Sequence, residues 1–265
     1  MPYANNNGVR IYYEIEGNGP PLVLAHPITA SLNSWKRDKF PDALRNDFQL
    51  ILFDARGHGQ SDKPREASAY AVTIMANDVL TLLDTIGIRT AHYFGYSMGA
   101  KIGFWLATHH TDRFNSFILG GTTPYSYPEI GIKAMDNMIT GLKLQIADPE
   151  AHLQRLQSRL GRTLTEQEKK ARLSNNPEGI LSIITSFLNW PPLTDEELAE
   201  ISLPCLVFCG ELDEGGFHAG AKESVDHIPQ ARFISFPGLN HFQAGSRSDL
   251  ILPHIKEFLE QVSKI

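Results

Sequence analysis

The chain has 265 residues, 42% hydrophobic and 20% charged, a composition that supports a packed globular core and excludes extended disorder. Its formal net charge is −6 with both signs interspersed. No basic stripe is available to a phosphate backbone, which argues against nucleic-acid binding. No run of about 18 apolar residues occurs, and no basic segment followed by an apolar stretch opens the chain, so the expectation is a soluble, cytoplasmic protein with no membrane partner.

The first element is a hairpin: after the turn NNNG, the run VRIYYEIEG alternates and sets Val9, Ile11, Tyr13 and Ile15 on one face. Six further strands are predicted at PLVLA (21 to 25), FQLILFD (48 to 54), AHYFGY (91 to 96), FNSFILGG (114 to 121), CLVFCG (205 to 210) and ARFISF (231 to 236). Several are apolar without alternation, as strands covered on both faces should be. Between them, residues 71 to 86 repeat apolar positions at helical spacing (Ile74, Val79, Leu82, Leu83, Ile86) and end at Gly87, a C-terminal cap. Near the end, Ile255, Phe258, Leu259 and Val262 form another helical stripe. Strands alternating with helices predict an α/β fold with a mostly parallel eight-stranded sheet and helices on both faces.

The alternation stops between residues 124 and 203. Capping boxes at Thr165 with Glu168 and at Thr194 with Glu197, and Asn176-Pro177 opening a helix that carries Ile180, Ile183, Ile184, Phe187 and Leu188, predict an inserted helical cap. The expected organisation is therefore a core domain of residues 1–123 and 204–265 with a cap of residues 124–203. The two cysteines, Cys205 and Cys209, share one predicted strand, which puts their α-carbons about 13 Å apart. That is too far for a disulfide, and both read as buried thiols.

Gly95-Tyr96-Ser97-Met98-Gly99 fits G-x-S-x-G where an apolar strand ends and a helical pattern begins. A serine there sits in a tight turn with strained dihedrals, and side chains two residues to either side would collide across it, which glycine avoids. The turn aims the hydroxyl at a helix N-terminus, where unpaired N–H groups favour negative charge. The overlapping phosphate-loop pattern fails, because Ala100 stands where its second glycine is needed.

With HPITASLNSW, LILFDARGHGQSDKP, GYSMGA, LVFCGELD and GLNHF in this order, the sequence resembles the α/β-hydrolase superfamily, and in it the compact capped serine esterases and lactonases, over nearly its whole length. The resemblance implies Ser97 as nucleophile, His241 as base on the loop after the last strand, and Asp213 as the acid after the penultimate strand. It implies oxyanion donors at the backbone N–H of Met98 and of Ile28, the latter in a loop where Pro27 replaces the more usual glycine. Asp54, Arg56, His58 and Ser61 are expected to build a turn beneath the site, and His26 to brace its own loop.

Met135, Met138, Ile139, Leu142, Phe187, Trp190 and Phe217 are candidate substrate-lining residues, and they would suit an apolar group of modest size; packing the cap onto the body is the competing expectation. The activity implied is hydrolysis of a small-molecule carboxylic ester or lactone through an acyl-enzyme, with no metal or organic cofactor. C–C bond hydrolysis, a lyase step or perhydrolysis on the same triad stands as an alternative, and so does a non-enzymatic ligand receptor.

Overall fold

A computed structural model describes residues 2–173 and 176–263. Among these, eight strands form one sheet: β1 (Tyr3–Asn6), β2 (Val9–Glu16), β3 (Pro21–Ala25), β4 (Gln49–Phe53), β5 (Ala91–Tyr96), β6 (Phe114–Gly120), β7 (Cys205–Gly210) and β8 (Ala231–Phe236). Their order is β1-β2-β4-β3-β5-β6-β7-β8, with antiparallel pairing at β1-β2 and β2-β4 and parallel pairing from β4 onward. Val9, Ile11 and Tyr13 pack inward as expected, whereas Ile15 is 42% exposed, past the end of the register with β1.

Successive side chains of the central strands point into two different cores, which is why these strands read as unbroken apolar runs. In β3, Val23 and Ala25 join one cluster and Leu22 and Leu24 the other; in β4, Ile51 and Phe53 divide from Leu50 and Leu52 in the same way. Two short helices, α1 (Leu32–Arg37) and α2 (Phe40–Leu44), cover one face with Trp35, Phe40 and Leu44. The helix α3 (Val72–Thr85) and the helix α4 (Met98–His109) cover the other with Val79, Leu83, Ile102 and Phe104.

Between β6 and β7 the chain runs through α5 (Glu129–Ala147), α6 (Pro149–Leu160), α7 (Glu166–Leu173), α8 (Pro177–Phe187) and α9 (Asp195–Ala199). Asn176 caps α8 by accepting from the Gly179 N–H, and Thr194 with Glu197 caps α9 reciprocally. Leu142 of α5 meets Ile180 and Ile184 of α8 in a small core of their own. This layer is tied to the sheet-bearing body where Trp190 Nε1 donates to the Tyr70 carbonyl (2.9 Å) and Ser182 Oγ to the Arg65 carbonyl (2.7 Å).

The Lys101 ammonium, buried in α4, donates to the carbonyls of Thr123, Pro124 and Tyr125 where the chain leaves β6. Burial pushes its pKa down to about 7, and the three carbonyls oppose that shift by favouring the charged form. After β7 come α10 (Phe217–Ser224), α11 (His241–Ser246) and α12 (Ser248–Val262); Ile255, Phe258 and Leu259 of α12 close the core that α1 and α2 share. Among the described residues no helix is long and apolar enough to cross a membrane.

Candidate active site

Ser97 links the end of β5 to the start of α4 with φ 52° and ψ −112°, a conformation that non-glycine residues adopt only under strain. The turn is held by the Ser97 N–H on the Gly120 carbonyl (2.8 Å) and the Lys101 N–H on the Ser97 carbonyl (2.9 Å). The two glycines answer different collisions. A β-carbon on Gly95 would meet the backbone of Gly99 and Ala100, across the turn as expected, whereas one on Gly99 would strike the backbone of Ala25 on the neighbouring strand. Gly99 thus lets α4 start close against β3, a reason the local motif does not disclose.

Asp213 follows β7 and His241 opens α11 after β8, so the three parallel strands β5, β7 and β8 deliver all three side chains at their C-terminal ends. His241 Nδ1 lies 2.7 Å from Asp213 Oδ2, and His241 Nε2 lies 3.2 Å from Ser97 Oγ. An ionised carboxylate only accepts, so Nδ1 carries the proton and Nε2 is left free to accept from the serine hydroxyl. Asp213 also accepts from the Gly215 N–H at Oδ1 (2.9 Å) and from the Cys209 thiol at Oδ2 (3.5 Å). Its side chain is fully buried while that of His241 is 20% exposed, which leaves the imidazole reachable from the cavity and the acid shielded. Burial, with the neighbouring Asp213 carboxylate adding to it, pushes the Cys209 thiol up, so it stays a protonated donor.

Met98 is the first residue of α4, and its N–H has no helical acceptor one turn back. Residues 27 to 30, which line the same cavity as Ser97, make a tight turn closed by the Ala30 N–H on the Pro27 carbonyl (3.2 Å), with Thr29 at φ 65°. The one left-handed residue of the turn is Thr29, and the turn forms with proline at position 27. Thr29 is fixed by donating its N–H to His58 Nε2 (3.3 Å), and His58 Nδ1 donates to the Arg56 carbonyl (3.1 Å). His26 accepts the Ala55 N–H on Nε2 (3.0 Å) and donates from Nδ1 to the Pro27 carbonyl (2.8 Å).

Asp54 accepts from the backbone N–H groups of Leu32 and Gln60, both at 2.8 Å, and Arg56 forms a buried ion pair with Asp78. Asp54 thus binds the start of α1 to the turn at residues 54 to 61, and Arg56 binds that turn to α3. None of them reaches Ser97 or His241.

Ser97 and His241 open into a cavity of about 750 Å³. Of the seven residues predicted to line it, only Met138 does. Phe187, Trp190 and Phe217 are spent on the main core, with Tyr127 stacked on Phe187 at 5.3 Å and Phe217 edge-on to the His241 ring at 5.7 Å. Leu142 belongs to the core between α5 and α8, and the half-buried Met135 and Ile139 pack against it. Most of this stripe is thus buried in packing, between α5 and α8 and against the sheet-bearing body.

The walls come instead from Ile28 to Asp38, from Gly57 to Gly59 with Lys63, from Asn176 and Ile180, and from α11 through Phe242, Gly245 and Ser246. Apart from Ile28, expected as an oxyanion donor, sequence reasoning missed them. The signal that was present is positional: the segment directly after a loop flanking the nucleophile must pass the same opening. Among the described residues, no group of three or more His, Cys, Asp or Glu side chains is placed to hold a metal ion.

A family model described as alpha/beta hydrolase fold matches residues 20–142. Among solved structures, the enol-lactonase from Burkholderia xenovorans LB400 superposes with a TM-score of 0.78 at 26% identity, covering 98% of this chain and 100% of that one. A Bacillus subtilis (strain 168) protein provisionally named 2-succinyl-6-hydroxy-2,4-cyclohexadiene-1-carboxylate synthase is 27% identical, with 97% of each chain covered. 3-oxoadipate enol-lactonase 1 of Acinetobacter baylyi is 24% identical over 79% of this chain and 78% of its own.

Proposed function

The chain belongs to the α/β-hydrolase superfamily, and on that premise we propose that it hydrolyses a small or medium-sized carboxylic ester or lactone through an acyl-enzyme on Ser97. The observation that carries the reading is the hydrogen-bonded chain from Ser97 Oγ through the His241 ring to Asp213 at one end of an open cavity. A hydroxyl is a weak nucleophile until a base takes its proton as it attacks, and the orientation of that base by a buried acid supplies the correct tautomer.

Ser97 Oγ adds to the substrate carbonyl while its proton passes to His241 Nε2, and Asp213 stabilises the resulting imidazolium without taking the proton. The oxyanion forms against the N–H groups of Met98 and Ile28. Collapse expels the alcohol, protonated by His241, or opens the lactone ring; water deprotonated by the same nitrogen then releases the acid and restores Ser97. Residues 124–203 act as the cap over this opening. Ile28, Met138, Ile180 and Phe242 are among the apolar residues lining the cavity and Ser31 and Ser34 among the polar ones, which suits a substrate with both apolar and polar parts.

The synthase name of the Bacillus subtilis relative favours a second reading, a lyase step on the same triad in place of ester hydrolysis. Steady-state assays on a panel of activated esters and lactones separate the two. The first reading expects turnover that Ser97→Ala lowers by about 10³-fold or more. A purified Ser97→Ala variant that kept wild-type turnover would overturn it.

A further inference from the structure

Tyr96, the residue before the nucleophile, makes a contact that the reaction scheme leaves unused. Its hydroxyl donates to the backbone carbonyl of His241 at 2.6 Å. The ring is 3% exposed and lies 5.5 Å from the His241 ring and 5.9 Å from Phe208, centroid to centroid. The space it occupies is kept open by two glycines: a β-carbon on Gly245 would sit 2.5 Å from Tyr96 Cε1, and one on Gly121 would sit 2.6 Å from its hydroxyl. Three segments distant in sequence, the ends of β5 and β6 and the helix α11, therefore close around one phenol.

We propose that Tyr96 is a positioning residue that sets the Ser97–His241 separation by tying the backbone of the base to the strand that carries the nucleophile. Ser97 and His241 sit 144 residues apart on different loops, and their own contact is 3.2 Å, at the long end of a hydrogen bond. The base's N–H faces the exposed Glu214 at 3.4 Å, a loose contact, so the short bond at its carbonyl is the firmer of the two restraints. Loss of the phenol oxygen frees α11 to drift, and a displacement of about 1 Å at a reacting group is enough to cost a large factor in rate. The effect on turnover rests on the hydrolase reading above; the effect on the imidazole does not.

The test compares Tyr96→Phe with Tyr70→Phe, which loses a similar buried bond, from Tyr70 to the Pro64 carbonyl at 2.6 Å, away from the triad. In protein labelled with ¹⁵N-histidine, the His241 Nδ1–H resonance, assigned by its loss in His241→Gln, is expected to exchange with solvent about tenfold faster or more in Tyr96→Phe and to be unaltered in Tyr70→Phe. On an activated ester, kcat is expected to fall about tenfold or more in Tyr96→Phe with KM within about twofold, and to hold in Tyr70→Phe. Unchanged Nδ1–H exchange in Tyr96→Phe overturns the proposal, as does an equal loss in both variants. If the wild type turns over no ester, the hydrolase reading fails while the exchange comparison still decides the role of Tyr96.

Discussion

His58 and His26 are buried with ring centroids 4.9 Å apart, and each is committed to one tautomer by a backbone donor on one nitrogen and a backbone acceptor on the other. Burial, with the neighbouring His26 ring adding to it, lowers the His58 pKa to about 3, and burial lowers that of His26 as well. Both rings must therefore be neutral for the loop bearing Ile28 to keep its shape. A group whose folded pKa is depressed binds more protons in the unfolded chain, so its stabilisation is present above the unfolded value of 6.5 and is lost as pH falls toward 3. Denaturant unfolding across this range should show stability falling with acid, and falling less steeply in His58→Asn, although that variant is weaker throughout. Parallel slopes in the two proteins would contradict this assignment.

At the scale of elements, the strand-turn-helix from β5 into α4 concentrates the demands of the fold. Ser97 holds a strained backbone there, at a cost of about 1–3 kcal/mol, because α4 starts hard against β3. Gly99→Ala places a methyl into the Ala25 backbone, which cannot yield as a side chain would. The expected result is a loss of about 1–3 kcal/mol in stability, measured by chemical denaturation, together with loss of ester turnover. Full stability and turnover in that variant would contradict the packing account.

The eight strands and the longer helices were legible in the sequence because each sheet face and each helical stripe repeats over enough residues to show its period. The helices α1, α2 and α11 were not, having six, five and six residues. Helices of so few turns gain little from their own hydrogen bonds and are held by contacts such as Trp35 on Phe94 at 4.7 Å, which no local pattern encodes.

Across the whole molecule, one end of the sheet gathers what the sequence scatters. That Ser97, Asp213 and His241 would meet could be read in advance, because each belongs to a motif placed after a particular strand and strand order fixes where strand ends meet. The cavity wall could not, since it exists only where α1, the turn at residues 57 to 63, α5, α8 and α11 converge. The apolar stripe of α5 and α8 is taken up by packing for a physical reason. A helix must bury such a face somewhere, and here Phe187, Trp190 and Leu142 bury it against the body and the partner helix before any is left for substrate.

The same assembly places a buried ion pair, Arg56 with Asp78, alongside Asn6 of β1, so that α3, the hairpin and the turn below the cavity are linked through one carboxylate. The central claim is that this convergence activates Ser97 through His241. The most direct measurement treats the protein with a fluorophosphonate and locates the adduct by peptide mass spectrometry. The account predicts a single adduct on Ser97 that is absent in His241→Ala; an unlabelled Ser97 in the folded wild type, or labelling undiminished when His241 is removed, would contradict it.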